Sequence, residues 1–153
     1  MMMGTKKVLF LCTGNSVRSQ MAEGLLNALG SKQWKAKSGG VISSFVHPLA
    51  IQVMGEIGID ISKKTSKSMD QFFKQKFDYI ITLCDDAAKF CPSFGGQGKR
   101  LHWPFEDPAS ATGTDEEKLE VFRRIRDEIK KKIERFLKPE SSEPIDPIAS
   151  FKF

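Results

Sequence analysis

The sequence predicts a single-domain α/β fold, a three-layer α/β/α sandwich built on a four-stranded parallel sheet. Three observations carry that expectation. Short apolar, β-rich runs alternate with helical patterns along the chain, as they do when right-handed crossovers join parallel strands. One of those runs, Tyr79–Cys84, is almost continuously apolar, as befits a strand covered on both faces. The last regular pattern is a long amphipathic helix with its own start signal, and its apolar stripe needs a neighbour to cover it.

The elements follow in order. Lys6 to Cys12 reads as a strand around Val8-Leu9-Phe10-Leu11. Ser19 to Leu29 reads as a helix, with Met21, Leu25, Leu26 and Leu29 on one face and Gly30 as its stop. Trp34 to Ser38 is a short strand. Pro48 opens a helix at its first turn, Ile51, Met54 and Ile57 face inward, and Gly58 ends it. Met69 to Phe77 also has helical spacing. Tyr79 to Cys84 is the third strand, and Lys99 to Trp103 is a weaker fourth. Thr114 and Glu117 form a capping box for a final helix with Leu119, Phe122, Ile125, Ile129, Ile133 and Phe136 as its inward stripe. The domain is expected over residues 1–138, followed by a Pro- and Ser-rich, loosely ordered tail over 139–153.

The bulk numbers exclude several classes. At 153 residues the chain suffices for one core, and 40% apolar with 28% charged residues is ordinary for a soluble globular protein. No apolar run is long enough to span a bilayer, and the start lacks the pattern of a signal peptide, so the expected location is cytoplasmic. The net charge of +5 comes from scattered basic residues. With no nucleic-acid motif among them, they read as a solvated surface that mildly favours anionic ligands. Three cysteines are an odd count for a static disulfide framework. Their spacing, with only His47 and His102 to add imidazole, argues against zinc. What three thiols suit is a disulfide that moves.

The run Cys12-Thr13-Gly14-Asn15-Ser16-Val17-Arg18-Ser19 carries the chemistry. A strand that turns through such a loop into a helix aims backbone N–H groups and the helix's positive end at one point. An oxyanion there meets the backbone of Thr13, Gly14, Asn15, Ser16 and Val17 and the planar fork of Arg18. The same field favours the thiolate form of Cys12, the form that attacks. Ser19 fits either a hydrogen bond to that sulfur or a helix cap, and Asn15 fits a role in holding the loop's shape. Ligands in such sheets bind beyond the carboxyl ends of the strands. Cys12 and Cys84 both fall at those ends, so they can meet although far apart in sequence. Without the Cys12 loop, Cys84 and Cys91 read as buried core thiols; Asp107 before Pro108, by itself, reads equally as a turn cap or a proton donor. Turn and capping roles account for Asp85 and Asp86.

With Asn15 and Ser19 in place, this loop resembles that of the low-molecular-weight tyrosine phosphatase superfamily. The segment from Thr82 to Pro92, with Cys84 and Cys91, is similar to the redox segment of thioredoxin-coupled arsenate reductases on that fold. His102-Trp103-Pro104-Phe105-Glu106-Asp107-Pro108-Ala109 resembles their acid loop, and Ser19–Gly24 and Ile59–Ser62 also fit. The resemblance runs from Lys6 to Phe136. It implies that Cys12 attacks arsenate, with phosphate and sulfate as competing oxyanions, while Asp107 protonates the leaving group. Cys84 then forms a disulfide with Cys12 as arsenite departs, and Cys91 takes over Cys84. Thioredoxin reduces the Cys84–Cys91 disulfide. The implied enzyme is a monomer that needs no cofactor and no catalytic metal, with neither nucleic acid nor membrane as a partner.

Two positions depart from the relatives. Val17 stands where relatives often carry a second loop cysteine. Lys67 stands where potassium-binding relatives carry an aspartate, although Asn15, Glu23, Ser38 and Thr65 match their other ligands. A lysine ammonium there would hold the same oxygens as the cation. Two other readings stay open. A phosphatase would use Cys12, Arg18, Asp107 and water, but such enzymes carry a tyrosine after Asp-Pro, where this chain has Ala109, and Tyr79 is its only tyrosine. An oxyanion or redox sensor would need no acid.

Overall fold

The computed structural model describes residues 5–90 and 98–138. Four parallel strands, β1 (Lys6–Cys12), β2 (Trp34–Gly40), β3 (Tyr79–Thr82) and β4 (Lys99–His102), form one sheet in the order β2-β1-β3-β4. The expected α/β class and four-stranded parallel sheet are borne out. β1 is central because it can be buried on both sides: Val8, Leu9, Phe10 and Leu11 are all fully enclosed. It pairs Cys12 with Gly40 on one side and Leu11 with Thr82 on the other.

The described residues form four α-helices: α1 (Arg18–Leu29), α2 (Pro48–Glu56), α3 (Asp85–Phe90) and α4 (Asp115–Leu137). α1, α2 and α4 pack on one another, while α3 lies against β1 and β3. The capping box at the start of α4 is present, with Thr114 Oγ1 accepting from Glu117 N at 3.1 Å and Glu117 Oε1 accepting from Thr114 N at 2.8 Å. Its stripe from Leu119 to Ile133 is buried as expected. Phe136 completes the stripe against three rings, Trp34, Tyr79 and Trp103, at centroid distances of 5.1, 5.1 and 5.3 Å. No described helix is long and apolar enough to cross a membrane.

Several expectations are corrected. β2 runs two residues past Ser38, because Gly39 and Gly40 continue the pairing with Leu11 and Cys12. β3 ends at Thr82 and β4 at His102, short of Cys84 and Trp103. Leu29 is exposed at the end of α1. α2 turns Ala50, Val53 and Met54 inward, leaving Ile51 and Ile57 partly covered. Met69–Phe77 is not a helix but a single 3-10 turn over Met69–Phe72. There Ser68 Oγ caps Asp70 N at 3.1 Å, and Asp78 then ties to Lys7, N to carbonyl O at 2.8 Å and Oδ2 to N at 2.7 Å, pulling the chain into β3. Cys91 and the tail over 139–153 lie outside the described residues.

Candidate active site

The loop leaves β1 at Cys12 and enters α1 at Arg18, at the carboxyl edge of the sheet. Asn15 shapes it. This residue takes the left-handed conformation (φ 51°), which asparagine tolerates. Its amide is fully engaged: Nδ2 donates to Ser19 Oγ at 2.8 Å and Ser38 Oγ at 2.9 Å, while Oδ1 accepts from Gln20 Nε2 at 2.9 Å and Lys67 N at 2.7 Å. The outer edge is held by Ser44 and Ser66, whose hydroxyls both donate to the Gly14 carbonyl at 2.9 Å. His47 N donates to the Ser16 carbonyl at 3.1 Å.

Cys12 is 2% exposed, so its sulfur is reached through the cavity of about 180 Å3 that it lines with Thr13, Gly14, Ser16, Val17, Arg18, Asp107 and Ala109. Ser19 Oγ lies 2.8 Å from Cys12 Sγ. Because Ser19 already accepts from Asn15, its own proton can be aimed at the sulfur, an arrangement that suits a thiolate. Arg18 Nη1 donates to the Phe105 carbonyl at 3.1 Å, and Nη2 stands 3.6 Å from Asp107 Oδ2. Its Nε is buried without an acceptor among the described residues, a donor that a bound oxyanion would satisfy. Asp107 divides its two oxygens: Oδ1 caps the turn Pro108–Ser110 by accepting from Ala109 N at 3.0 Å, while Oδ2 faces Arg18. Both roles read from the sequence are therefore geometrically open to it at once.

Cys84 follows β3 and precedes α3. Its Sγ lies 3.2 Å from Thr13 Oγ1 and accepts from Ala87 N at 3.4 Å. The second thiol thus touches the loop that carries the first.

Sequence reading missed three participants. Gln20 is fully buried and ties Asn15 to the Thr65 carbonyl, at 3.1 Å; a polar residue on the covered side of α1 was the available sign. His47 lies within the field of Asp107; burial holds its imidazole below the ordinary range, partly opposed by that carboxylate. Lys64 corrects the expectation for Lys67. Asn15, Glu23, Ser38 and Thr65 do gather, but Glu23 is taken by Ser38 Oγ at 2.5 Å and by Lys64 Nζ at 2.7 Å. Lys67 Nζ donates to the Thr65 carbonyl, at 2.8 Å, and burial holds its ammonium below the ordinary lysine range. Lys64 already neutralises Glu23 and the Lys67 ammonium stands on the Thr65 carbonyl, so a potassium ion among these oxygens would meet like charge, and the residues do not fit it. No group of three or more His, Cys, Asp and Glu side chains gathers to hold a metal among the described residues.

The family model for low molecular weight phosphotyrosine protein phosphatase matches residues 7–143. The chain is 52% identical over 134 residues to an arsenate reductase of Halalkalibacterium halodurans, covering 88% of this chain and 96% of the relative. It is 48% identical to an arsenate reductase of Bacillus licheniformis over the same shares. Among solved structures, an arsenate reductase in the phosphate binding state superposes with a TM-score of 0.76 at 40% identity, covering 87% of this chain and 97% of that one.

Proposed function

Because the chain belongs to the low-molecular-weight phosphotyrosine protein phosphatase family, and because its curated relatives are arsenate reductases, we propose that it reduces arsenate to arsenite by a relay of three cysteines. The observation that carries the reading is the 3.2 Å contact between Thr13 Oγ1 and Cys84 Sγ. A phosphatase needs no second thiol against its nucleophile's loop; a reductase does.

Arsenate enters the cradle of loop N–H groups and Arg18. The Cys12 thiolate attacks arsenic, and an oxygen leaves as water with the proton that Asp107 supplies. Cys84, as thiolate, attacks Cys12 Sγ. The sulfur–arsenic bond breaks, its electron pair stays on arsenic, and arsenite leaves as a Cys12–Cys84 disulfide forms. Thr13 and the Ala87 N–H orient the attacking sulfur. Cys91 then attacks Cys84 Sγ, which restores the Cys12 thiolate and leaves Cys84–Cys91. A dithiol reductant, thioredoxin, supplies the two electrons that reduce this last disulfide. Cys12, Arg18, Ser19, Asp107, Cys84 and Thr13 are all placed by the fold of a single protomer, so the proposed chemistry asks for no residue from a second copy, and we assign it to a monomer. We assign the chemistry to residues 1–138, with 139–153 as an appended tail. A relay that must begin with reduced thiols belongs in the cytoplasm.

A second reading rests on the same cavity. Cys12, Arg18 and Asp107 suffice to hydrolyse a small aryl phosphate through a phosphocysteine, so a weak phosphatase side activity is expected. The test is NADPH consumption with thioredoxin and thioredoxin reductase, started by arsenate. Sustained turnover that Cys84→Ser abolishes, with aryl phosphate hydrolysis retained in that variant, supports the relay. Arsenate-independent NADPH traces beside brisk hydrolysis in the wild type would assign the protein to the phosphatases.

A further inference from the structure

Among the described residues α3 offers little apolar surface to the sheet: between 85 and 89 only Ala87 is buried. Between α3 and β4 lies a cavity of about 180 Å3 lined by Ile80, Thr82, Ala88, Arg100, Leu101 and His102, so apolar packing is incomplete on that side. A line of hydrogen bonds links the two elements. Thr82 Oγ1 lies 2.8 Å from His102 Nδ1, and His102 Nε2 lies 3.1 Å from Asp85 Oδ1. A carboxylate only accepts, so Nε2 carries a proton. In the neutral ring Nδ1 then accepts the Thr82 hydroxyl proton. In the imidazolium Nδ1 donates instead, and the Thr82 proton turns to the Leu101 carbonyl, 3.4 Å away. The line is complete in either protonation state.

Asp85 directly follows Cys84, so this line grips the residue beside the second thiol. We propose that His102 and Asp85 are positioning residues that latch α3 against the sheet and keep Cys84 Sγ beside Thr13. The proposal rests on the relay above. A closed latch presents Cys84 for the first exchange. Because the Asp85 side chain is 93% exposed, the pair is weak and opens readily, as the second exchange with Cys91 requires of α3.

The experiment is amide hydrogen exchange on the reduced full chain, together with a stopped single turnover in a Cys91→Ser background that scores the Cys12–Cys84 disulfide after arsenate is added. Loss of a tie worth about one kcal/mol changes an opening equilibrium about fivefold. His102→Ala should therefore speed exchange at the Ala87 and Ala88 amides about fivefold and leave β1 amides unchanged. It should also slow disulfide formation by a similar factor without altering competition by inorganic phosphate. Asp85→Ala, at an exposed position that does not threaten folding, should do the same. His102→Gln, whose amide still donates to Asp85, should recover most of the loss. Unchanged α3 exchange in both alanine variants overturns the latch, as does acceleration that spreads to β1 or that His102→Gln fails to reverse. A loosened α3 with wild-type disulfide formation overturns the positioning role. No arsenate-driven disulfide in the parent protein would count against the relay itself, while exchange still decides the latch.

Discussion

Replacing Gly40 by alanine should pry the oxyanion loop away from the end of β2. The added Cβ would stand 2.5 Å from the Ile42 carbonyl oxygen, 2.7 Å from Asn15 N and 2.8 Å from the Thr13 carbonyl oxygen. All three are backbone atoms that cannot rotate aside. Relief requires separating the strands of chain joined by Val41 N to Cys12 O and Ile42 N to Thr13 O, both 3.1 Å. Each such bond is worth about 1 kcal/mol net, and about 1–3 kcal/mol if its partners stay buried and unpaired. The expected loss is therefore about 2–5 kcal/mol, a large part of the roughly 5–15 kcal/mol of a typical domain. Gly55, in α2, is the control: a Cβ there meets nothing within 4 Å. Gly55→Ala should stabilise by about 0.5–1 kcal/mol, raising Tm by about 3 °C. Urea unfolding of both variants, with calorimetric titration of phosphate, reads the result. Gly40→Ala should lose phosphate binding as well as stability. A Gly40→Ala protein within about 0.5 kcal/mol of wild type and with intact phosphate affinity would refute the reasoning, since the uncertainty of such bond energies is smaller than that gap.

Other consequences follow from the same geometry. Ser19→Ala removes the hydroxyl between Asn15 and Cys12; a hydrogen bond to a charged group is worth about 1.5–3 kcal/mol, so kcat/KM for arsenate should fall roughly tenfold to a hundredfold, and Tm should fall as well because the buried Asn15 Nδ2 loses an acceptor, at a cost of about 1–3 kcal/mol. Because Lys64 pairs with Glu23 and Lys67 donates to the Thr65 carbonyl, potassium in place of sodium should change neither turnover nor Tm; a clear gain with potassium would contradict this. Burial lowers the His47 pKa from the ordinary 6.5, so the unfolded chain binds that proton first as pH falls. Stability should drop as pH falls from about 6.5 toward the folded value. His47→Asn, which can still cap Leu49 N, should flatten that part of the Tm–pH curve, and an unchanged slope would count against the assignment.

Much of the fold was legible because local signals agreed with the global arrangement. The apolar run of β1, the loop from Cys12 to Arg18 and the Thr114–Glu117 box each announced themselves within a few residues. Where the sequence misled, the cause was tertiary. Met69, Phe72, Phe73 and Phe77 have helical spacing, yet Phe72 and Phe77 pack edge to face across a turn, with Phe73 left exposed. Gly39 and Gly40 look like strand breakers, but the first lies close to the backbone of Met69 and the second to the backbone of the oxyanion loop. Lys64 carried no local sign of its pairing with Glu23, far away along the chain. The contact between Thr13 and Cys84 was equally invisible in one dimension, although placing Cys12 and Cys84 at the carboxyl ends of strands predicted that their two segments lie near each other.

The most direct test of the central claim is the product of one turnover in Cys91→Ser. Without Cys91 the relay stops after the first exchange. One arsenite per chain and a Cys12–Cys84 disulfide, mapped by mass spectrometry after arsenate is added, is the predicted result. Arsenate consumed with no disulfide, or a chain that cycles without limit, would contradict the three-cysteine relay.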